Sequence, residues 1–257
     1  MEIEDKMLLA KIMDKVKISK TRNKILNTEF LTTYQRGIVE KELNKIKVKN
    51  YMFFGGYDDS EGRVLIIYPE KLDLSIIQNN LKNIVKGIKI KLPKELAGKY
   101  THRDYLGTVM QIGLNRDRIG DIIVYESEAY IFVLEENASY IVSSLESAKK
   151  FSKSIIEIID YNEVPIKEAE FEEIEISVSS IRLDNVVSSI AKISRKKAEE
   201  LLADEKIFVN AKVETKSTKS LKGGDILVIR GKGKFIINKI SENNRKGKMI
   251  LEVKKYI

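Results

Sequence analysis

The order of hydrophobic patterns between residues 84 and 161 limits the possible folds of this chain more than any other feature of its sequence. Predicted strands (β) and amphipathic helices (α) follow one another there as IVKGIKIKL (84–92, β), THRDYLGTVMQIG (101–113, α), GDIIVYE (120–126, β), AYIFVLEE (129–136, β), ASYIVSSLESAKK (138–150, α) and SKSIIEIIDY (152–161, β). This β-α-β-β-α-β order is that of the ferredoxin-like split βαβ, a fold that many unrelated proteins share. It predicts the fold of the segment and leaves its function open.

The segment before it predicts a smaller domain of mixed structure. The predicted elements are two amphipathic helices at about 2–18 and 34–47 and two strands at 51–54 and 63–69. GGYDDSEG (55–62) predicts a turn between the strands. Its glycines do not form a nucleotide-binding loop, because such a loop opens into a helix with a lysine. We therefore expect an N-terminal domain at 1–80 and a central domain at 81–163.

An acidic stretch with a proline separates this part from the C-terminal third. The sequence YNEVPIKEAEFEEIE (161–175) lacks a clear periodicity, and we predict a linker at 164–175. Residues 176–257 predict a third domain, in which a strand is followed by two helices, at about 182–192 and 195–203, and by several further strands. The predicted fold class of the whole chain is α+β.

Charge is unevenly distributed along the chain. The net charge is +7 over residues 1–100, −9 over 101–180 and +10 over 181–257, where 19 residues are basic and 9 are acidic. Lysine is abundant throughout, so basicity alone is a weak indication, but a uniform lysine bias would not leave a −9 stretch beside a +10 one. The C-terminal third is therefore the candidate for binding a polyanion.

Several classes of site are excluded by what the sequence lacks. Cysteine is absent, which rules out disulfides, thiolate zinc sites and a cysteine nucleophile. His102 is the single histidine, so it lacks a partner for metal binding or nucleophilic catalysis, and we expect a surface or structural role. No run of residues approaches 18 apolar positions. We predict a cytoplasmic, non-enzymatic monomer with no catalytic residue, no cofactor, no metal and no membrane partner.

The most unusual local feature is ISRKKAEELL, residues 193–202, where three cations follow a serine. Ser194 is a typical N-cap, and the apolar residues after it recur at the spacing of a helix with one buried side. Arg195, Lys196 and Lys197 then occupy the first helical turn, where the positive end of the helix dipole disfavours cations. This cationic helix start predicts a site for an anion.

The same segment is part of a longer pattern that resembles the S4 RNA-binding domain. The resemblance covers roughly residues 178–235, and the matching residues are Arg182, Leu183, Asp184, Ser194, Arg195, Ala198, Leu202, Ile207, Val209, Asn210, Gly224 and Asp225. Two positions depart from the family, because Glu205 and Ala211 stand where glycine is usual. A left-handed conformation costs a non-glycine residue roughly 1 kcal/mol, so the local turns are expected to differ from the usual ones.

The resemblance implies RNA binding, and the residues allow it independently. Free N–H groups, the helix dipole and the cations at 195–197 predict a phosphate site, and the glycines of IRGKGKF let a backbone approach. The candidate RNA-binding residues are Arg182, Ser194, Arg195, Lys196, Lys197, Lys206, Asn210, Lys212, Arg230, Lys232 and Lys234. The alternative is a solvated lysine-rich surface that binds nothing.

Two fragments imitate catalytic motifs. Pseudouridine synthases carry a catalytic aspartate in an R-L-D context, but here R-L-D begins the first predicted S4 helix, so we expect Asp184 to cap that helix or to pair with an arginine. HRD (102–104) imitates the protein-kinase catalytic loop, yet the glycine-rich loop, the asparagine and the D-F-G of a kinase are missing. Thr101 and Asp104 are instead predicted to form a variant capping box.

The central domain lacks part of the sequence pattern of an RNA-recognition motif. Tyr130, Phe132 and Leu134 share one side of a predicted strand, but IVKGIKIKL contributes no aromatic residue, so the paired stacking positions are not met. Because residues 101–180 have a net charge of −9, we expect contact with protein, or a scaffolding role, rather than RNA binding by base stacking.

Two segments, FFGGYDDSEGRVLIIYP (53–69) and THRDYLGTVMQIGLNRDRIGDIIV (101–124), together with the C-terminal S4 pattern, resemble the YlmH family of bacterial S4-domain proteins. The resemblance covers nearly the whole chain. It implies three domains, the central one RRM-like, and binding to ribosomal RNA or tRNA on the large ribosomal subunit, in the quality control of stalled nascent chains. Two alternatives remain open: an S4-domain RNA-modifying enzyme of the pseudouridine synthase or methyltransferase type, and an adaptor protein in cell division.

Overall fold

The computed structural model of the protein describes residues 3–167, 170–243 and 248–257. The helices are α1 (Ile3–Arg22), α2 (Thr33–Lys45), α3 (Leu74–Asn80), α4 (His102–Gln111), α5 (Glu135–Ser147), α6 (Leu183–Ala191) and α7 (Arg195–Ala203). The strands are β1 (Leu26–Leu31), β2 (Tyr51–Phe54), β3 (Arg63–Ile67), β4 (Val85–Lys91), β5 (Ile119–Val124), β6 (Glu128–Leu134), β7 (Ile155–Asp160), β8 (Phe171–Val178), β9 (Ile207–Val209), β10 (Lys212–Val213), β11 (Ile226–Ile229), β12 (Gly233–Asn243) and β13 (Lys248–Tyr256). The helices and sheets confirm the α+β class, and the chain divides into two compact units, Met1–Ile166 and Lys167–Ile257.

The N-terminal sheet contains a strand that its sequence does not predict. The strand order is β1-β3-β2, with antiparallel pairing throughout. In β1 the sequence LNTEFL does not alternate between polar and apolar residues, and its pairing with β3 is irregular between Asn27 and Phe30. The irregularity buries Thr28, whose hydroxyl donates to the Glu29 carbonyl (2.7 Å) and accepts from the Leu65 N–H (3.0 Å). A strand bulge with a buried polar residue escapes a search for period two.

The central sheet confirms the predicted ferredoxin-like order. Its strands lie in the order β5-β6-β4-β7, and every neighbouring pair is antiparallel. Helices α4 and α5 cover one side of the sheet, where Ile88, Ile131 and Val133 pack with Val109 and Leu145 in a fully buried core. The two crossing helices are thereby fixed on a single side of the sheet.

The opposite side of this sheet is covered by the N-terminal elements. Phe132 of β6 is fully buried among residues that include Phe30 and Val64. The turn at 55–62 is held against β5 by the Asp121 carboxylate, which accepts hydrogen bonds from the Tyr57 hydroxyl (2.8 Å) and from two backbone N–H groups of the turn (2.8 and 3.0 Å). Residues 1–80 and 81–163 therefore share one compact unit, and a domain boundary at residue 80 stays a prediction.

The C-terminal unit has a six-stranded antiparallel sheet in the order β10-β9-β11-β12-β13-β8. Strand β8 begins at Phe171, so the prediction of a linker is wrong for residues 171–175, while 168–169 lie outside the described residues. The three glutamates of β8, Glu172, Glu173 and Glu175, are exposed, and Glu172 pairs with Lys255 of the neighbouring strand (2.8 Å). Ile176 is buried in the core beneath α6 and α7. Glu173 and Glu175 lie on the solvent side of this strand, opposite the side that buries Ile176 and Val178.

Candidate nucleic-acid interface

A buried carboxylate orients two of the predicted RNA-binding arginines. The Asp184 side chain at the start of α6 is 0% exposed. Its Oδ1 accepts from Arg182 Nε (3.1 Å), and its Oδ2 accepts from Arg182 Nη2 (3.0 Å) and Arg195 Nη2 (2.6 Å). The side chains of Arg182 and Arg195 are 40% and 55% exposed. We call these three residues the Asp184 cluster; the predicted pairing of Asp184 with an arginine is confirmed.

The Asp184 cluster remains a cationic surface. Burial alone would raise the pKa of Asp184, but hydrogen bonds from Arg182, Arg195 and the Asn185 N–H outweigh burial and hold that pKa below its ordinary value. One ionised carboxylate between two guanidinium groups leaves a net charge of +1. Each guanidinium has five N–H donors, and the cluster uses two of Arg182 and one of Arg195, so several remain for an anion.

The start of α7 confirms the predicted N-cap. Ser194 Oγ accepts from the Lys197 N–H (3.2 Å), so this hydroxyl serves the helix. The Lys197 ammonium pairs with Glu200 (2.8 Å), one turn along the same helix. Lys196 is exposed, and no ion pair or hydrogen bond engages its side chain within the described part of the chain. Arg195 and Lys196 are therefore the cations at this helix end that carry surplus charge.

A second group of predicted residues lies beyond the C-terminal end of α7. Lys206 pairs with Asp204 (2.9 Å), and its carbonyl accepts from the Arg230 N–H (2.9 Å), which brings the two basic residues together. The Arg230 guanidinium lies over the Phe208 ring at 5.0 Å, and Lys232 is exposed. Lys234 lies over the Tyr256 ring at 4.1 Å, and burial lowers its pKa. The helix, of nine residues and about 13 Å in length, separates this group from the Asp184 cluster.

Asn210 has a structural role in the hairpin between β9 and β10. Its amide donates to Asp225 (2.9 Å) and accepts from the Ile226 N–H (2.9 Å), so the hairpin uses most of its hydrogen-bonding capacity, and its contact with RNA stays a prediction. Lys212, half-buried, begins the second strand of the same hairpin. Asn210 and Ala211 have φ angles of 51° and 65°, and Glu205 has 55°. The expected change of turn is therefore wrong, because Glu205 and Ala211 adopt the left-handed conformation without glycine.

A cleft between α4 and the end of α5 was not predicted. Its volume is about 550 Å³, and it is lined by Arg103, Asp104, Gly107, Thr108, Gln111, Ala148, Lys149 and Lys150. The predicted capping box is confirmed on its wall, where Asp104 accepts from the N–H (2.9 Å) and hydroxyl (2.7 Å) of Thr101. Asp104 also pairs with Lys150 (2.7 Å), and these hydrogen bonds, that of Lys150 first, lower its pKa.

Gly107 lies in the middle of α4, on the floor of this cleft. A glycine inside a helix costs roughly 0.5–1 kcal/mol relative to alanine. A side chain added at Gly107 would meet no atom within 4 Å, so packing within the described part of the chain does not require the glycine. Arg103, Gly107 and Gln111 follow the spacing of one helix side, and only this pattern in the sequence could have drawn attention to the cleft.

The aromatic side of the central sheet cannot stack on RNA. Tyr130 is 3% exposed, Leu134 is 2% exposed and Phe132 is fully buried, all three beneath the N-terminal elements. A Cβ at Gly56 (φ +102°) would lie 2.3 Å from the Phe132 ring, so the covering turn is tightly fitted. This confirms the expectation against base stacking on that side. Among the described residues no acidic and histidine cluster could hold a metal ion, and no helix is long and apolar enough to cross a membrane.

Comparisons with known proteins give the family of the chain. The sequence model of a family described as "Putative RNA-binding domain in YlmH" matches residues 80–163. Over 226 residues the chain is 30% identical to the ribosome-associated protein quality control protein P2 of Bacillus subtilis (strain 168), covering 86% of this chain and 83% of that protein. The chain belongs to the YlmH family. The cell division protein ylmH from Streptococcus pneumoniae has a related structure, with a TM-score of 0.49 and 18% identity over 63% of this chain and 95% of that one.

Membership of the YlmH family changes the interpretation of the central domain. The matched segment, 80–163, contains the whole of the α4–α5 cleft. A description as an RNA-binding domain runs against the expectation, drawn from net charge, of a role in protein contact or scaffolding. The family model and the Bacillus subtilis relative are named for RNA binding and for ribosome-associated quality control, and neither name is that of an enzyme. The chain therefore has a domain of a family that is described as RNA-binding, and the stacking side of that domain is closed.

Proposed function

We propose that the protein binds structured ribosomal RNA or tRNA on the large ribosomal subunit, in the cytoplasm, and acts there in the quality control of stalled nascent chains. The name of the Bacillus subtilis relative, which describes a ribosome-associated quality control protein, supports the process. The proposed activity is non-enzymatic, with contacts mainly to phosphate groups. The C-terminal unit is the proposed S4 domain.

The Asp184 cluster carries this proposal. Two exposed guanidinium groups are fixed on one buried carboxylate, next to the N-terminus of α7 and to the exposed Lys196. Fixed arginines lose little side-chain entropy when they bind, and their planar forks match the geometry of phosphate oxygens. The free N–H groups and the dipole of α7 add to the attraction for a phosphate. A merely solvated basic surface would not need arginines held on a buried charge.

The second basic group, beyond the end of α7, is proposed as a separate phosphate contact. Arg230 and Lys232 are the exposed cations of that group, whereas Lys206 is engaged with Asp204. Stacked on Phe208, Arg230 is pre-organised like the arginines of the Asp184 cluster. Two contacts separated by the length of α7 favour an extended RNA backbone over a single phosphate group.

The test is RNA affinity as a function of salt for an Arg195→Ala, Lys196→Ala variant, with Lys239→Ala, an exposed cation of β12, as the control. Each lost phosphate contact should make the log–log salt slope shallower by about one, so the variant should lose about two. Lys196→Ala is a surface change, whereas Arg195→Ala removes one hydrogen bond from the buried Asp184 carboxylate and should lower the unfolding temperature. Affinities are therefore compared at a temperature where circular dichroism shows every variant folded. An unchanged slope would refute the proposed interface.

Association with the particle needs its own measurement. Cell extract is sedimented through a sucrose gradient. The unaltered protein is expected in the fractions of the large subunit, and the Arg195→Ala, Lys196→Ala variant is expected in the top fractions. A protein that stays at the top in its unaltered form would favour the adaptor alternative. Mapping of modified bases after incubation with ribosomal RNA tests the enzyme alternative, and we expect no new modification.

A further inference from the structure

The α4–α5 cleft of the central domain has the features of a binding site that the chain itself does not fill. Arg103 and Lys149 are exposed on its rim, and within the described part of the chain neither side chain has an ion-pair partner. Asp104, the one carboxylate of the lining, is neutralised by Lys150. The cleft therefore has a net positive charge within an acidic region of the sequence.

Lys150 is held in place by the chain. Its ammonium contacts Asp104 Oδ1 (2.7 Å) and lies 5.2 Å from the centre of the Tyr100 ring, while its carbonyl accepts from the Tyr100 hydroxyl (3.1 Å). A lysine ammonium has three donors, so the pair with Asp104 leaves others for a ligand. Lys150 is thus a fixed donor on one wall of the cleft.

Gly107 opens the floor between these cations. Apart from the adjacent residues and backbone of α4 itself, no atom lies within 4 Å of the position that its Cβ would take. The absence of a side chain exposes the helix backbone to a ligand at the point where Arg103 and Gln111 lie one turn before and one turn after it. An open glycine at this point leaves room for the close approach of another molecule between the cations of the cleft.

We propose that this cleft binds a segment of RNA backbone, through phosphate contacts of Arg103 and Lys149 and ribose or phosphate contacts of Gln111 and Lys150. The inference rests on the proposed RNA-binding function of the chain. RNA is favoured because the family model describes residues 80–163 as RNA-binding, while the stacking side of that domain is buried. The volume of the cleft, about 550 Å³, exceeds that of one phosphate group. RNA read through backbone and ribose needs no stacking surface.

The first experiment fills the cleft without altering charge. Gly107→Leu places a side chain on the floor, and the matched control is Gly37→Leu in α2, where an added side chain likewise meets nothing within 4 Å. Both variants should unfold at the same temperature as the unaltered protein or higher, because leucine is the better helix former. RNA affinity should fall at least fivefold for Gly107→Leu and stay unchanged for Gly37→Leu. Equal affinities would overturn the proposal.

The second experiment removes charge from the rim. An Arg103→Ala, Lys149→Ala variant is compared with Lys11→Ala, Lys17→Ala, two exposed cations of α1. The loss of two phosphate contacts should make the log–log salt slope shallower by about 1.4–1.8. If the variant and the unaltered protein bind RNA equally at ~1 M salt, the variant should bind about 15- to 30-fold more weakly at ~0.15 M salt. The α1 control should keep the slope of the unaltered protein. If the Arg103→Ala, Lys149→Ala variant has the same salt slope as the α1 control, the proposal is overturned.

The outcomes separate this inference from the proposed function. If Arg195→Ala, Lys196→Ala weakens RNA binding and the cleft variants do not, the interface of the C-terminal unit stands and the cleft proposal fails. If the reverse is found, the cleft stands without that interface. Inorganic phosphate that competes with RNA at micromolar concentration would show a site for free phosphate and overturn the proposal. So would cleft variants that keep RNA affinity but lose sedimentation with large subunits, which would indicate a protein partner.

Discussion

Asp184→Asn should weaken RNA binding although it increases the positive charge of the interface. Asp184 is fully buried and does not contact RNA, but it holds Arg182 and Arg195 in position. The substitution raises the net charge of the cluster from +1 to +2. A purely electrostatic interface would then bind RNA more tightly, by the factor of about 4–6 that one additional cation provides between ~1 M and ~0.15 M salt. If Asp184 acts by positioning the two arginines, the RNA affinity should instead fall.

The cost in stability follows from the hydrogen bonds. Oδ2 accepts from both arginines, and Oδ1 accepts from Arg182 and from the Asn185 N–H. Whichever way the asparagine amide is turned, its NH₂ group meets two donors, so two hydrogen bonds are lost. Bonds to charged groups contribute about 1.5–3 kcal/mol each, and the half-exposed arginines recover part of that in water, which leaves a loss of about 2–3 kcal/mol. The C-terminal unit should unfold roughly 8–20 °C lower.

The assay is RNA affinity at several salt concentrations, at a temperature where circular dichroism shows both proteins folded. Asp204→Asn is the matched control, because it adds the same charge at the other end of α7 and removes a pair with Lys206 rather than with an arginine. We expect a fourfold or larger loss of affinity for Asp184→Asn, and equal or tighter binding for the control. Tighter binding by a folded Asp184→Asn variant would refute the positioning role.

Three further predictions concern stability. Ala211→Gly should raise the free energy of unfolding by about 0.5–1 kcal/mol in urea titrations, since a left-handed conformation (φ 65°) strains alanine, whereas the same change at the helical Ala203 should lower it. Gly56→Ala should cost more than about 2 kcal/mol, because the new Cβ would lie 2.3 Å from the Phe132 ring at a φ of +102°, and a neutral result would contradict the fit of the turn. The pKa of Asp184 is lowered from 3.8 in the folded protein. The ionised carboxylate therefore stabilises the fold fully above pH 3.8, and this contribution is lost as the pH falls through the lower pKa of the folded state. The urea midpoints of the unaltered protein and of Asp184→Asn should converge below pH 3.8.

Local patterns carried the prediction of the secondary structure. The alternation of the central segment and the N-cap at Ser194 lead directly to the observed sheet order and to the start of α7, because period and capping act over a few residues. Strand β1 escaped because its bulge breaks the period. The first residues of β8 were assigned to the linker because a glutamate side exposed to solvent looks, in sequence, like an acidic tail.

The interface depends on contacts between residues that are distant in sequence, and local sequence patterns do not predict such contacts. The R-L-D pattern placed Asp184 beside Arg182, but its 2.6 Å contact with Arg195 depends on how α6 and α7 pack. Asn210 was a candidate for RNA because nothing nearby in sequence indicates that Asp225 and Ile226 occupy its amide. The α4–α5 cleft joins residues more than forty positions apart, so only the fold brings Arg103 to Lys149.

The burial of Asp184 also decides between the two chemistries that an R-L-D sequence can support. A catalytic carboxylate must reach its substrate, and its oxygens must be free to attack or to exchange a proton. Here the side chain is 0% exposed, each oxygen accepts two hydrogen bonds, and the arginine pairing keeps the pKa low, which makes the group a poor base and nucleophile. The enzyme alternative thereby loses Asp184 as its catalytic residue. The same features, burial and saturation, are those required of a carboxylate that orients two arginines towards an anion.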